Sequence, residues 1–341
     1  MPLRGLSVSR VIKPVRWGVL GCARVFQKRM LPAFAASGLN TLTALASRDV
    51  DKATSVANAN GIPHVFGDYD ALLASQEIDA VYIPLPNDIH AEYTERALLA
   101  GKHVLCDKPF TLNSADAKRC AVLADERNLR LMEGFMYRHH PQHLFVQGLV
   151  QRGDIGVLTR IDATFCYTAT VEHAGIRWNP AQGGGALWDV GVYGINLARM
   201  YMGEPAGVYT RLAMHTETGV DIHNTVVLDY ANGCHAILHS GFDQAFASTA
   251  TLTGTLGSIT LERAFQVGEA GIRVTYRSNG KDDVHMMEFP YINQWQRELD
   301  DFALSVRIPG NPLITGENGV AQSVVMDAVI RSAQTGQREE I

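Results

Sequence analysis

The stretch VRWGVLGCARVFQKRMLPAF, residues 15–34, decides the reading of the fold. Its first seven residues form a short apolar run, dense enough to be a strand covered on both faces. Gly21 opens a turn, and helical spacing follows. A strand that passes through a glycine turn into a helix is the first half of a βαβ unit, so the question is whether the unit repeats. It does. The runs TLTALAS (41–47), DAVYIPL (79–85), HVLCD (103–107) and LRLMEGF (129–135) have the same character. Between them VDKATSVANAN, IHAEYTERALLAG and SADAKRCAVLADERN carry helical spacing, with Gly101 as a stop and Asn113 as a cap. Strict alternation predicts an α/β domain with a doubly wound parallel sheet over residues 1–137, its first 13 residues a flexible leader.

Beyond residue 137 the pattern changes. After a helix at HLFVQGLVQRGDIG come long alternating runs, LTRIDATFCYTAT, NTVVLDYANGCHAILHSGF and GIRVTYRSNGKDDVHMMEF. Asn232-Gly233 and Asn279-Gly280 sit between such runs as hairpin signals. Residues 138–341 are therefore expected to form an α+β domain with a large, mainly antiparallel, open sheet, ending in the helical stretch GVAQSVVMDAVIRSAQTGQ. An open sheet leaves one face for a partner, which predicts a homodimer or homotetramer built through it.

The whole chain agrees with two domains: 341 residues exceed the ~250–300 that one hydrophobic core usually serves. Apolar residues make up 46% and charged ones 19%, an ordinary globular balance, and the net charge of -5 gives no basic surplus for a nucleic-acid partner. No apolar run approaches the ~20 residues of a membrane span. The leader carries Arg4, Arg10 and Lys13 without the apolar core of a signal peptide. Cys22, Cys106, Cys120, Cys166 and Cys234 are odd in number and lack C-x-x-C spacing, which predicts reduced thiols in a cytoplasmic protein.

Chemistry is suggested at three places. Gly21, Ala23 and Phe26 occupy the three positions of a dinucleotide fingerprint. Glycine at the first permits the tight turn, and a small residue at the second lets a pyrophosphate approach the helix N-terminus. Only the first is glycine, so a plain strand-to-helix turn competes until context is added; the position, opening the first helix of a βαβ unit, is the required context. At the end of the second strand, Ser47 and Arg48 stand where a ribose-binding acid would follow. A hydroxyl and a guanidinium suit a 2'-phosphate and favour NADP. In the competing reading Asp49 holds the ribose of NAD.

The second place is HVLCDKPF. If HVLCD is a parallel strand, its carboxyl end delivers Asp107 and Lys108 to the ligand crevice, and Pro109 keeps Lys108 extended. The third is GGGALWDVGVYGINLAR, residues 183–199, where three glycines allow close backbone approach and a helix would present Asp189 and Tyr193 at i and i+4. Tyr193 would exchange a proton, its pKa lowered by Lys108. The pair His139 and His143 also has i, i+4 spacing, but Pro141 lies between them and no third ligand is near, so no metal is expected.

VLCDKPF resembles the E-K-P motif, and GGGALWDVGVYGINLAR the G-G-G-x-L-x-D-x-G-x-(H/Y) motif, of the glucose-fructose oxidoreductase, inositol dehydrogenase and rhizopine catabolism (Gfo/Idh/MocA) family. The similarity covers nearly the whole chain, including DAVYIPLPNDIHAEYTERALLAGKHVL and WQRELDDFALSV. The resemblance implies a Rossmann domain that binds the cofactor through Gly21, Cys22, Ala23, Arg24, Ser47, Arg48, Pro84, Leu85, Asn87, His90, Asp107 and Lys108. It implies that Lys108 orients substrate and cofactor, that Asp189 contacts the substrate, and that Tyr193 takes the acid-base position many members fill with histidine. Arg177 and Trp178, in GIRWNP, match a segment that approaches the active site in relatives. Asp107 departs from the usual glutamate, and Ala23 and Phe26 from the glycine-rich turn.

Tyrosine at 193 resembles the branch holding NADP-linked D-xylose and dihydrodiol dehydrogenases. The expected function is therefore NADP(H)-dependent hydride transfer at a hydroxyl or carbonyl carbon of a sugar-like substrate, of aldose 1-dehydrogenase type. GVLGCARVFQKRMLPAF and LERAF also resemble ketoreductases of deoxysugar biosynthesis, so a sugar-nucleotide substrate is the alternative. A non-enzymatic NADP-sensing regulator and an NAD-dependent glycosidase are rivals from other classes.

Overall fold

The computed structural model describes residues 12–171, 175–268, 270–281, 283–311 and 313–341. The leader expected over residues 1–13 lies outside them up to residue 11; at Lys13 and Pro14 the backbone carbonyls accept hydrogen bonds from Arg307.

The first part alternates as the sequence predicts. In chain order come β1 (Val15–Leu20), α1 (Leu31–Ala36), β2 (Asn40–Ala46), α2 (Val50–Asn60), β3 (His64–Phe66), α3 (Tyr69–Ala74), β4 (Ala80–Ile83), α4 (His90–Leu99), β5 (His103–Asp107), α5 (Ser114–Glu126) and β6 (Leu131–Gly134). The six strands are parallel in the order β3-β2-β1-β4-β5-β6, the doubly wound arrangement whose strand order reverses between β1 and β4 and so opens a crevice at the carboxyl ends. The central strands are apolar because both faces are covered; β4 is buried at every residue. Caps set the helix ends. Asp49 accepts from the Lys52 N–H at the start of α2, Asn113 from the Asp116 N–H at the start of α5, and Gly101 takes φ +75° just past α4.

The second part follows: α6 (Pro141–Gln151), β7 (Leu158–Thr168), α7 (Val192–Met202), β8 (Gly207–Met214), β9 (Asp221–Asp229), β10 (His235–Gly241), β11 (Asp243–Gly254), β12 (Ser258–Leu261), β13 (Ile272–Arg277), β14 (His285–Phe289), α8 (Gln294–Arg307), α9 (Gly316–Thr335) and β15 (Glu339–Glu340). Among the described residues nine strands form one sheet in the order β14-β13-β12-β11-β7-β10-β9-β8-β15; all neighbours are antiparallel except β7 and β10. α7 packs on one face against β7 and β10, while the opposite face presents Arg160, Ile237 and Thr249 to solvent.

Two helices do not stay with this sheet. α8 lays Trp295, Leu299 and Phe302 against the first sheet, with the Phe302 ring 5.1 Å from Trp17 of β1, and α9 packs along α5. Thus α8 lies on a face of the parallel sheet and ends beside the amino ends of its strands, where Arg307 bonds Asp79 and the Lys13 and Pro14 carbonyls.

Candidate active site

The turn after β1 takes the glycine it needs. Gly21 has φ +93°, and a Cβ there would stand 3.1 Å from Leu85 Cδ2. The helical backbone starts at Arg24, winds as a π-turn over Phe26–Met30 and tightens into α1. Phe26, at the fingerprint's third position, is fully buried in the core. Cys22 and Ser47 are buried beside this turn, and Ala23 and Arg24 face outward from it. Arg48 is exposed next to the Tyr69 ring, and no carboxylate pairs with it among the described residues. Asp49 is occupied as the α2 cap. The groups present at this strand tip therefore fit a dinucleotide carrying a 2'-phosphate better than one whose ribose needs an acid.

On the other side of the crevice the loop after β4 continues the floor. Pro84 and Leu85 are buried there, and Asn87 donates from Nδ2 to the Gly183 carbonyl, tying the two motifs together. His90 lies between the Leu85 and Pro109 carbonyls at 2.8 and 2.7 Å and so fastens this loop to the one after β5. That second loop carries Asp107 and Lys108, and the Lys108–Pro109 peptide is cis. Asp107 accepts from the Lys108 N–H at 3.0 Å and from the Tyr82 hydroxyl at 3.4 Å; burial raises its pKa, with Lys108 opposing.

Lys108 reaches the second motif. Its ammonium donates to the Asp189 carbonyl at 2.6 Å and to Asp189 Oδ1 at 3.0 Å. Arg177 Nε and the Tyr167 hydroxyl donate to Asp189 Oδ2 at 2.8 and 2.7 Å, and Arg177 Nη2 to Oδ1 at 3.2 Å. Burial works to raise the Asp189 carboxyl, but the charges of Lys108 and Arg177 and these hydrogen bonds hold it far below the usual range. The same ion pair raises Arg177, and burial raises Tyr167. Asp189 is a fixed anion that anchors two cations.

The triple glycine explains how Arg177 gets there. A Cβ on Gly184 would lie 2.7–2.8 Å from the carbonyls of Asn179, Arg177 and Ile176, and one on Gly185, at φ +108°, would strike Asp221 Oδ1. The close approach allowed by these glycines is to the protein's own turn Ile176–Trp178, which carries Arg177 onto Asp189. Trp178 packs on Phe242 and His215 and does not join the Lys108 cluster.

Two expectations about Tyr193 are corrected. Leu187–Gly191 winds as a π-turn before α7, so Asp189 and Tyr193 are not one ordinary helical turn apart. The ring of Tyr193 lies under the Lys108 ammonium, 5.3 Å from its centroid, while the hydroxyl donates to Met136 Sδ at 3.6 Å. The ammonium therefore meets the ring face, not the oxygen. The pKa is also raised rather than lowered, well above its ordinary value, by burial among Phe135, Tyr137, Phe165 and Phe265 and by the Asp107, Asp189 and Glu298 carboxyls. Tyr193 is a neutral phenol whose hydroxyl has only a weak sulfur acceptor.

The sequence reading missed Tyr167, Tyr82 and Glu298. Tyr167 had a signal in the alternation of β7, since Ile161, Ala163, Phe165 and Tyr167 share a face. His139 and His143 diverge: His139 bonds Asp301, and His143 lies between the Tyr201 hydroxyl and the Ala264 carbonyl. Among the described residues there is no metal-ligating cluster, and no helix is long and apolar enough to cross a membrane. The five cysteines are free and buried.

Residues 15–135 match an oxidoreductase family with an NAD-binding Rossmann fold, and residues 143–260 match the GFO/IDH/MocA C-terminal domain. The chain is 39% identical over 328 residues to the dTDP-3,4-didehydro-2,6-dideoxy-alpha-D-glucose 3-reductase of Streptomyces violaceoruber, covering 96% of this chain and 94% of that one. It is 34% identical to D-xylose 1-dehydrogenase (NADP(+)) 2 of Haloferax volcanii, over 95% of this chain and 99% of that one. The crystal structure of a 3-ketoreductase from Actinomadura kijaniata in complex with NADP and TDP-benzene superposes with a TM-score of 0.87 at 34% identity, covering 94% of this chain and 98% of that chain.

Proposed function

The chain belongs to the Gfo/Idh/MocA oxidoreductase family, and from that premise we propose that it is an NADP(H)-dependent ketoreductase acting on a sugar carried by a nucleoside diphosphate. The coarser activity, NAD(P)-dependent oxidation or reduction of a sugar, is common to the relatives on both branches, and sets aside the non-enzymatic regulator.

The observation that carries the reading is the placement of the Lys108 ammonium, anchored on Asp189, above the ring of a neutral Tyr193. A cation beside a protonated phenol is what a carbonyl needs when it becomes an alcohol. Bound NADPH supplies the hydride. Lys108 stabilises negative charge growing on the substrate oxygen, and Asp189 with Arg177 fixes its direction. Tyr193 gives its hydroxyl proton to that oxygen, for which its weak bond to Met136 is easily exchanged. In the opposite direction Tyr193 would have to ionise next to the Asp107 and Asp189 carboxyls.

The nucleotide is supported by a second feature. Phe246 is 46% exposed on the face of the sheet that bears Tyr193, and its ring lies beside Phe165, which packs on Tyr193. Arg263 covers one side of Phe246 at 4.6 Å and has no carboxylate partner among the described residues. A guanidinium on an open aromatic ring offers charge to a diphosphate and a surface to a base.

The test is turnover, followed by nicotinamide absorbance. NADPH should be consumed with a keto-sugar on a TDP carrier, and Arg263→Ala should raise KM for that substrate about tenfold without changing the NADPH Kd. NADPH formation with D-xylose, and no turnover of the nucleotide-linked ketone, would establish the aldose 1-dehydrogenase instead.

A further inference from the structure

Glu298, in the second turn of α8, is 3% exposed, and its Oε1 is buried without a hydrogen-bond partner among the described residues. Nearly every buried polar group in a folded protein is paired, so a lone buried carboxyl calls for a cause. Its position supplies one. Oε1 lies 3.6 Å from where a Cβ would stand on Gly134, and the same point is 3.3 Å from the Cys106 carbonyl and 3.6 Å from Asp107 Cα. The carboxyl thus lies at the tips of β5 and β6, one residue from Lys108, beside the position that the missing side chain of Gly134 leaves unfilled.

The groups around it do not use it. Tyr82 on β4 is spent on Asp107, and Asp107 on Tyr82 and the Lys108 N–H. Glu133 on β6 accepts from the Phe110 N–H, and Tyr193 on α7 donates to Met136. Within α8 itself, Asp301 pairs with His139, which lies on the turn Met136–His139 against which α8 packs. Arg138 on that turn donates to Asn196 and Asn318, and Arg29, before α1, lies over Trp295. No cation is bonded to Glu298 among the described residues, so its charged form is uncompensated.

We propose that Glu298 stands as a neutral carboxylic acid that receives the carboxamide of the nicotinamide ring and so fixes which face of the ring meets the substrate. This rests on the reading that the crevice binds NADP(H). A hydride donor must lie within reach of the oxygen held by Lys108 and Tyr193, which places the ring at the tips of β5 and β6. The carboxamide is the polar substituent of that ring, with one accepting oxygen and a donating N–H. A protonated carboxyl is its complement, offering one O–H and one acceptor, whereas a carboxylate would oppose the amide oxygen. Burial and the Asp107 and Asp301 carboxyls, which push Glu298 well above the ordinary glutamate range, keep it in the required form.

The test measures binding. Dissociation constants for NADP and for its 3-acetylpyridine analogue, which lacks the amide N–H, are determined calorimetrically for the wild type, Glu298→Leu and Glu298→Gln. The wild type should prefer NADP about tenfold, roughly the value of one hydrogen bond, and Glu298→Leu should lose that preference. An equal preference in both proteins would overturn the proposal. Glu298→Gln guards against a leucine variant that fails to fold, since an amide offers the same donor and acceptor. It should bind NADP like the wild type at neutral pH, and should keep its affinity at alkaline pH where the wild type weakens as the acid ionises. Coincident pH curves would again overturn the proposal. A wild type that binds neither dinucleotide would refute the functional reading itself.

Discussion

Asp189 and Glu298 both lie within electrostatic reach of Tyr193, and the protein treats them in opposite ways. Asp189, on the side of the nine-stranded sheet, receives Lys108, Arg177 and Tyr167 and is held ionised. Glu298, on the side of the parallel sheet, has no cation bonded to it among the described residues and is held neutral. Burial opposes the charged form equally in kind at both, so the partners decide. One side of the crevice therefore holds fixed charge around Asp189 and Lys108, and the other holds a carboxyl kept neutral at Glu298.

The charged wall is broken most directly by Lys108→Met. Turnover should fall by about 10²- to 10³-fold, the usual cost of removing one group that stabilises a developing oxyanion, with the NADPH Kd nearly unchanged. Asp189 would keep Arg177 and Tyr167, so the variant should still fold. A loss of less than tenfold in kcat would show that another group carries the oxyanion.

Tyr193 stands between the walls, and Tyr193→Phe asks whether its hydroxyl is the proton donor. The ring meets Phe135 and Phe165 edge to face and Phe265 at a tilt, all without the oxygen, so packing should survive. A roughly 10²-fold loss of kcat, at the low end for general acid catalysis because water can substitute, is expected with KM little altered. Unchanged turnover would remove Tyr193 from the proton path and leave its role as the surface beneath Lys108.

How far these walls could be read from the sequence follows from what each depends on. β1, β4 and β5 were legible because burial on both faces keeps their centres apolar, and α4 and α5 because Gly101 and Asn113 mark a stop and a start by local chemistry. β3 and α3 were not: His64–Phe66 is a short edge strand and Tyr69–Ala74 barely more than one helical turn, too brief for a period to show. Asn232-Gly233 did mark a hairpin, though Gly233 alone takes positive φ, at 82°, closing a three-residue loop with a bulge.

The charged wall was readable because Lys108, Asp189 and Arg177 lie in motifs whose spacing reflects close backbone approach. The neutral wall was hidden because it depends on α8 returning, more than 150 residues after the chain left the parallel sheet, to lie across β1. In the sequence, Glu298 is one acid among several in WQRELDDF, and only Trp295, Leu299 and Phe302 around it tell that its face is buried. The raised pKa of Tyr193 was missed for the same reason, since Lys108 was visible and the crowd of aromatic rings and carboxyls was not.

The smallest expected effect tests whether the neutral wall is neutral by construction. Glu133, on β6, accepts from the Phe110 N–H at 2.8 Å through Oε1, while Oε2 is buried without a partner. Burial pushes its pKa up to about 7, against the opposing pull of that N–H and of Arg199, Arg138 and Lys108. A carboxyl raised in the folded state contributes stability that is complete below its unfolded pKa and is lost as pH rises through the folded one. The wild type should therefore lose up to about 3 kcal/mol between acidic and slightly alkaline pH on account of this one group. Glu133→Gln keeps an acceptor for Phe110 and has no proton to lose, so its thermal midpoint should fall less over the same range, converging on or exceeding the wild type at the alkaline end. Midpoint curves that run parallel across the range would mean that Glu133 is already ionised in the folded protein, and that proximity to Lys108 governs this wall as it governs the other.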